Sequence, residues 1–208
     1  MKTEIYIKAS CIICNNAVYK NGQVVFENPE PGIARFLLSV YRHLQTDYPK
    51  FYKMDNLSKI GWLANEILLK DSFVKENNTA EETGVVLWNA NSSLDTDIKY
   101  FASTKEMASP ALFVYTLPNI VIGEICIRHQ FKGENAFLIS ADFDARLMKD
   151  YVSNLINNNI LQSCICGWVD MLGETGKAVL FLIEKNKTNH SLPFTTENIN
   201  KIYQISNG

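Results

Sequence analysis

Residues 109–170 constrain the fold of this chain more than any other stretch of its sequence. Residues 120–127 are apolar except at two positions and follow Pro118, a pattern typical of a helix that begins after a proline. Residues 135–141 form an apolar run of strand length. Residues 143–157 then show a helical periodicity. A second apolar run follows at residues 164–169. The pattern predicts a helix, a strand, a sharp corner, a second helix and a buried strand.

The corner after the first strand is the most informative point. Many α/β enzymes expose a nucleophile where a strand feeds a helix through a tight turn. This corner offers Asp142, Phe143 and Asp144, which include no serine, cysteine or threonine. A helix N-terminus stabilises an ionised carboxylate, so Asp142 is expected to cap the helix rather than transfer protons. The sequence therefore predicts the scaffold of an active site without the reacting atom.

Strands alternate with helices along the rest of the chain. Asn21-Gly22 is a strong hairpin signal between two apolar runs. Residues 57–68 carry a helical apolar stripe that Asp55 or Asn56 is placed to cap, and residues 84–89 and 177–184 are strand-like runs. This order predicts an α/β fold with a mixed central sheet of about five strands and helices on its faces. The length of 208 residues is consistent with one domain.

Several segments resemble the N-terminal half of the β-ketoacyl synthases, the condensing enzymes of fatty acid and polyketide synthesis. The Pro118-Asn119 step, the turn at residues 132–135, the strand that follows and the CGWVD strand at residues 166–170 occur in the family's order and without a gap. In this register the family's nucleophilic cysteine falls at Asp142. The Met54-Asp55 step resembles a further family segment, and the resemblance covers most of residues 1–185.

The resemblance implies half of a thiolase-like fold, with residues 1–208 forming a single β-ketoacyl synthase N-terminal-like domain. The family's other catalytic groups, two histidines or a histidine and an asparagine with a lysine, belong to the second half, to which no residues here correspond. The implied function is that of a non-condensing accessory protein, a pseudoenzyme of fatty acid or polyketide synthesis of the aryl-polyene or flexirubin type. The alternative is a small acyl-thioester hydrolase or transferase that uses a pocket beside Asp142. The acyl chain, the pathway and any remaining catalysis stay open.

The resemblance also assigns site residues and partners. No catalytic residue is expected, and Asn119, Asp142, Phe143 and Asn91 are the candidate pocket residues. The implied partners are a second copy of the chain or a complete ketosynthase, and an acyl carrier protein is a further expected partner. No cofactor is expected.

The strand before the corner is expected to form the subunit interface. In complete synthases the corresponding strand pairs with its mate in a second subunit. Asn135, Phe137 and Ile139 would form this interface, since the strand contains no lysine or proline that would block edge pairing. Within one subunit, Leu138 is expected to be packed on both sides. The absent second half would leave one face of the domain uncovered.

Composition and cysteine spacing exclude other classes of function. The net charge is −2 without a basic tract, which argues against nucleic-acid binding. No apolar run approaches the length of a membrane span and no signal-peptide pattern is present, so a cytoplasmic location is expected. Cys11 and Cys14 have metal-site spacing, but Cys164 and Cys166 do not supply a second such pair. We expect buried thiols and no metal.

Overall fold

The computed structural model describes residues 4–29, 32–74 and 78–205, which form one mixed sheet between two layers of helices. The strands are β1 Tyr6–Cys14, β2 Ala17–Lys20, β3 Gln23–Glu27, β4 Thr83–Asn89, β5 Asn135–Ile139, β6 Ser163–Leu172, β7 Thr175–Glu184 and β8 Leu192–Pro193. The helices are α1 Ile33–Leu44, α2 Asn56–Leu69, α3 Leu94–Ser103, α4 Pro110–Phe113, α5 Ile120–His129, α6 Ala145–Asn157 and α7 Thr196–Gln204. A 3₁₀ helix, Pro49–Lys53, precedes α2.

The sheet order is β3-β2-β1-β7-β6-β4-β5, and β8 pairs with the start of β1. β4 is parallel to both of its neighbours, β5 and β6, and the other pairs are antiparallel. The predicted α/β class and mixed sheet are confirmed. The described residues form eight strands rather than about five, because the amino-terminal hairpins extend the sheet.

Two tight turns build that amino-terminal extension. Asn21-Gly22 connects β2 and β3 with φ angles of 51° and 80°, as the hairpin signal predicts. Asn15-Asn16 connects β1 and β2 with φ angles of 48° and 58°. Positive φ at both central residues matches the right-handed twist of strands, and asparagine tolerates it. The second turn was not predicted, because Asn-Asn lacks the glycine that usually marks it.

The first hydrophobic core lies between the sheet and α1, α2 and α5. α2 is buried on almost every side, which its amphipathic stripe did not predict. Its amino end is capped by Asp55, whose carboxylate accepts a hydrogen bond of 2.8 Å from the backbone N–H of Ser58. Gly61 permits the close crossing of α5, since a Cβ there would lie 2.5 Å from Val121 Cγ2. A larger residue would push α2 away from α5.

The second core lies between the other face of the sheet and α6 and α7. Ile199 and Ile202 of α7 are buried against this face, while Lys201 and Asn200 point outward. This face of the sheet is covered by α6 and α7 of the same chain. The expectation of an uncovered face of the domain stays a prediction.

β5 is an edge strand, and this corrects the expected surroundings of Leu138. Among the described strands, β5 pairs with β4 alone. Leu138 is partly buried and packs on the second core from one side. Leu87 of β4 is fully buried, because β4 has a strand on each side and helices over both faces. Among the described residues no helix is both long and apolar enough to span a membrane.

We expect the two leucines to differ in their contribution to stability. Leu87→Ala should lower the free energy of unfolding by about 2–5 kcal/mol, because it leaves a cavity in a closed core. Leu138→Ala should cost less than about 2 kcal/mol, because solvent and neighbours reach the edge strand. Urea melts of both variants test the order. An equal or larger loss for Leu138→Ala would contradict the edge position of β5.

Candidate functional site

The corner between β5 and α6 is held by hydrogen bonds that assign separate roles to its two aspartates. Asp144 is the N-cap of α6, and its Oδ1 accepts hydrogen bonds from the backbone N–H of Arg146 (2.8 Å) and of Leu147 (2.9 Å). Asp142 is exposed, and its backbone carbonyl accepts a hydrogen bond from Ser140 Oγ. The predicted capping role of Asp142 is therefore wrong. The helix begins at Ala145, which puts Asp142 three residues before it and out of reach of its first N–H groups.

Phe143 is fixed by aromatic contacts from two distant elements. Its ring stacks on Tyr203 of α7 at a centroid distance of 3.8 Å and contacts Trp168 of β6 edge-on at 6.1 Å. Lys177 Nζ lies 3.7 Å from the centroid of the Tyr203 ring. A stacked ring and a cation cannot share one face at these distances, so Tyr203 lies between Phe143 and Lys177. The carboxyl-terminal helix thus holds the corner in place.

Charged groups surround this stack. Burial raises the pKa of Tyr203, and the nearby carboxylates of Asp170 and Asp142 raise it further. Burial lowers the pKa of Lys177. Asp170 is itself held by Asn91, which donates from its backbone N–H at 3.1 Å and from its side-chain amide at 2.8 Å. A protonated phenol, an ammonium group and two carboxylates therefore meet beside the corner.

The structure brings three of the four candidate pocket residues to this cluster. Asn91 joins it through Asp170, and Asp142 and Phe143 through Tyr203. Asn119 is exposed before α5, and its side chain makes no capping hydrogen bond. The grouping of these residues as a binding pocket stays a prediction. A cavity of about 440 Å³ opens beside the corner. Its lining residues are Ser140, Ala141, Asp142, Phe143, Asp144, Ala145, Arg146, Thr196 and Asn200.

The three histidines lie away from the corner. His43 lies 4.6 Å, between ring centroids, from Phe26. His129 Nε2 is 2.5 Å from Glu66 Oε1, at the carboxyl ends of α2 and α5. His190 lines a separate cavity beside β1 and α7. None of these imidazoles hydrogen-bonds to the corner residues, so no base is positioned to activate a nucleophile there.

Four of the five cysteines are buried, as expected, whereas Cys126 is only partly buried. Cys11 faces the first core and Cys14 the second, because residues three apart on a strand point to opposite faces. Cys164 and Cys166 share the second core as predicted. Burial raises the pKa of Cys166. Within the described ranges no three histidine, cysteine or acidic side chains form a group that could hold a metal ion.

The outer edge of β5 is open, as the interface prediction requires. Asn135 and Ile139 are exposed, Phe137 is partly buried, and no other described strand pairs with this side. The solvent-exposed fraction of Ile139 is 54%. An apolar edge strand without lysine, proline or a bulge is a template for pairing with another chain. Interface formation itself stays a prediction.

A second exposed apolar surface follows β4. We call residues 94–117, which include α3 and α4, the α3–α4 lobe. It follows the carboxyl end of β4, the end at which Asn89 pairs with Ile139 of β5. Its exposed large apolar residues are Leu94, Ile98, Phe101, Met107, Phe113, Val114 and Leu117. Such a concentration on one segment is typical of an interaction surface.

Sequence reasoning missed Tyr203, Lys177, Trp168 and Asp170 as site residues, although two signals were present. Tyr203 is four residues after Ile199 and so shares its buried helix face. Trp168 and Asp170 are two apart on β6 and so share a sheet face. Each signal indicates only that two residues lie on the same face of one element. The contact with the corner depends on how α7 returns over the sheet.

Comparison with known proteins identifies the fold but no sequence relative. No protein-family model matches the chain, and neither does any curated protein. The chain superposes on the ishigamide ketosynthase/chain length factor with a TM-score of 0.65 at 16% identity, covering 87% of this chain and 62% of that one. It also superposes on a type II polyketide synthase acyl-carrier protein in complex with its ketosynthase (AntDE:AntF). The TM-score is 0.58 at 13% identity, and the match covers 88% of this chain and 63% of that chain.

A third structure matches almost end to end. It is a ketosynthase (ApeO) in complex with its chain length factor (ApeC) from Xenorhabdus doucetiae, with a TM-score of 0.58 at 11% identity, covering 99% of this chain and 92% of that chain. Against the first two structures the chain spans less than two thirds of the matched chain. At such low identity these likenesses establish the fold. The chain has the thiolase-like ketosynthase fold that the sequence resemblance implied.

The two aspartates of the corner should differ in their effect on stability. Asp144→Ala removes two hydrogen bonds to the first turn of α6, so it should cost about 0.5–2 kcal/mol. Asp142→Ala is the matched control and should change the free energy of unfolding by less than about 0.5 kcal/mol, since the side chain is exposed. Chemical denaturation measures both. A larger loss for Asp142→Ala would restore it as the cap.

Proposed function

We propose that this chain is a non-condensing, ketosynthase-like accessory subunit that assembles with a complete ketosynthase in fatty acid or polyketide synthesis. The observation that supports this proposal most directly is a ketosynthase fold whose strand–helix corner presents the exposed carboxylate of Asp142. On this proposal residues 1–208 form a single domain that corresponds to the N-terminal half of a synthase. The aryl-polyene and flexirubin types remain the expected pathways.

The chemistry of the corner supports a non-condensing role. Condensation through a covalent intermediate needs an activated nucleophile with a base in hydrogen-bond reach. Asp142 is solvent-exposed, His43 and His129 contact residues away from the corner, and His190 lines a separate cavity. Phe143 and Tyr203 fill the space on the inner side of the corner. A carboxylate in these surroundings is a weak nucleophile toward a thioester.

The open edge and the α3–α4 lobe support assembly with a partner. Pairing along β5 would satisfy the free backbone groups of the edge and bury Phe137 and Ile139. The lobe lies at the same end of the sheet and offers apolar area beyond what one strand provides. Two of the structural neighbours, a ketosynthase/chain length factor and a ketosynthase in complex with its chain length factor, motivate a complete ketosynthase as the partner rather than a second copy. The remaining neighbour, an acyl-carrier protein in complex with its ketosynthase, motivates an acyl carrier protein as a further partner.

The alternative, a small acyl-thioester hydrolase or transferase, would need a catalytic group at the cavity beside Asp142. That cavity is lined by two aspartates, an arginine and small polar residues. No described histidine or cysteine lines it. The structure offers no specific observation that favours this alternative over the accessory role.

Acylation separates the two functions. The isolated chain, incubated with acyl-carrier thioesters, should keep its unmodified intact mass and should release no free acid above the uncatalysed rate. Asp142→Cys, which supplies a thiol at the corner, is the positive control for detection of an adduct by the same measurement. A stable acyl adduct mapped to Asp142, or turnover that Asp142→Asn abolishes, would overturn the non-condensing assignment.

Assembly can be tested at the two open edges of the sheet. Ile139→Lys places a charge on the β5 edge and should abolish co-purification with a co-expressed complete ketosynthase. Val24→Lys is a matched control, because Val24 lies on the opposite edge strand β3 and is also 54% exposed. It should leave co-purification unchanged. Loss of the complex in both variants, or in neither, would contradict pairing through β5.

A further inference from the structure

The α3–α4 lobe is joined to the interior of the protein by very few side chains. Asp95 and Thr96, at its start, are buried: Asp95 Oδ1 accepts from the backbone N–H of Gly173 at 3.0 Å, and Thr96 Oγ1 donates to Asp55 Oδ2 at 2.7 Å. From residue 97 to residue 119, all of them described, Tyr115 is the only buried residue. Beyond its first residues, the lobe therefore contributes one buried side chain to the interior of the protein, that of Tyr115.

The side chain of Tyr115 reaches into the interior and hydrogen-bonds to a buried carboxylate. Its hydroxyl donates to Glu124 Oε1 at 3.2 Å, and the side chain of Glu124 is 4% exposed. Burial and the neighbouring Glu124 raise the pKa of Tyr115, so the phenol stays protonated and remains a donor. A hydrogen bond to a buried charged acceptor is stronger than one between neutral groups.

Glu124 is anchored independently of the lobe. Lys50 Nζ lies 2.8 Å from its Oε2, and the Tyr48 hydroxyl donates to the same oxygen at 3.4 Å. Tyr48 is itself stacked on Trp62 of α2 at 5.1 Å between centroids. The carboxylate is thus a fixed point of the first core.

A second contact joins the end of the lobe to the residue just before its start. Ser93, which is buried, donates from its Oγ to the carbonyl of Thr116 at 2.8 Å. Tyr100 and Phe113 contact each other at 5.4 Å and join α3 to α4. These contacts keep the lobe together as a unit, whereas the Tyr115–Glu124 bond sets its position on the protein.

We propose that Tyr115 and Glu124 form a positioning pair that holds the α3–α4 lobe in the orientation in which its apolar surface meets a complete ketosynthase. The positioning role rests on the contacts above. The meeting with a ketosynthase rests on the proposed function. Preorganising a surface in its bound orientation raises affinity by removing the entropic cost of ordering it at the moment of binding.

Hydrogen–deuterium exchange on the isolated chain tests the positioning role without a partner. Tyr115→Phe keeps the ring and removes the hydrogen bond, so amides of residues 97–117 should exchange about tenfold faster through local opening. Amides of β4 and β6 should keep their wild-type rates. Tyr48→Phe is the matched control, because it removes a hydrogen bond to the same carboxylate from outside the lobe, and should leave residues 97–117 unchanged.

Co-purification and affinity measurements with the complete ketosynthase test whether the position of the lobe matters for binding. Tyr115→Phe should weaken the complex about tenfold, and Tyr48→Phe should not. Equal exchange in the two variants, or faster exchange throughout the sheet in Tyr115→Phe, would overturn the positioning role. Failure of the wild-type chain to bind the ketosynthase would overturn the proposed function and leave the exchange result standing.

Discussion

β4 is hydrogen-bonded on each side to a parallel strand, and this arrangement brings the corner and the start of the α3–α4 lobe to one end of the sheet. Parallel neighbours bring their carboxyl ends to one end of the sheet. The corner after β5, the lobe after β4 and the Asp170 region of β6 therefore meet there. The burial of β4 on both faces explains why its sequence is a continuous apolar run rather than an alternation.

Hydrogen bonds between side chains of separate elements then hold this end of the sheet in place. Asp55 caps α2 with one carboxylate oxygen and holds Thr96 with the other. Asp170 holds the loop after β4 through Asn91. Buried or half-buried carboxylates of this kind need partners to offset their desolvation. Asp55 thereby fixes the start of α3, and Asp170 fixes the loop after β4.

Local patterns in the sequence predicted the elements well, and non-local packing accounts for what they missed. The helices at 120–129 and 145–157 and the buried strands follow from periodicity and from Pro118. The identity of the cap did not follow, because Asp142 and Asp144 are chemically identical and only the start of α6 separates them. The stack of Phe143, Tyr203 and Lys177 joins segments far apart in the chain, which periodicity cannot pair. The role of Glu124 was hidden because an acidic residue in an apolar helix has no local signature.

The carboxyl-terminal helix has a consequence for the order of events in the cell. Since α7 seals the second core with its own isoleucines and presents polar residues outward, the chain can complete its core before it meets any other subunit. On the proposed function, assembly is then a step separate from folding, with its own concentration dependence. A copy without a partner would expose the β5 edge, the β3 edge and the α3–α4 lobe rather than an open interior.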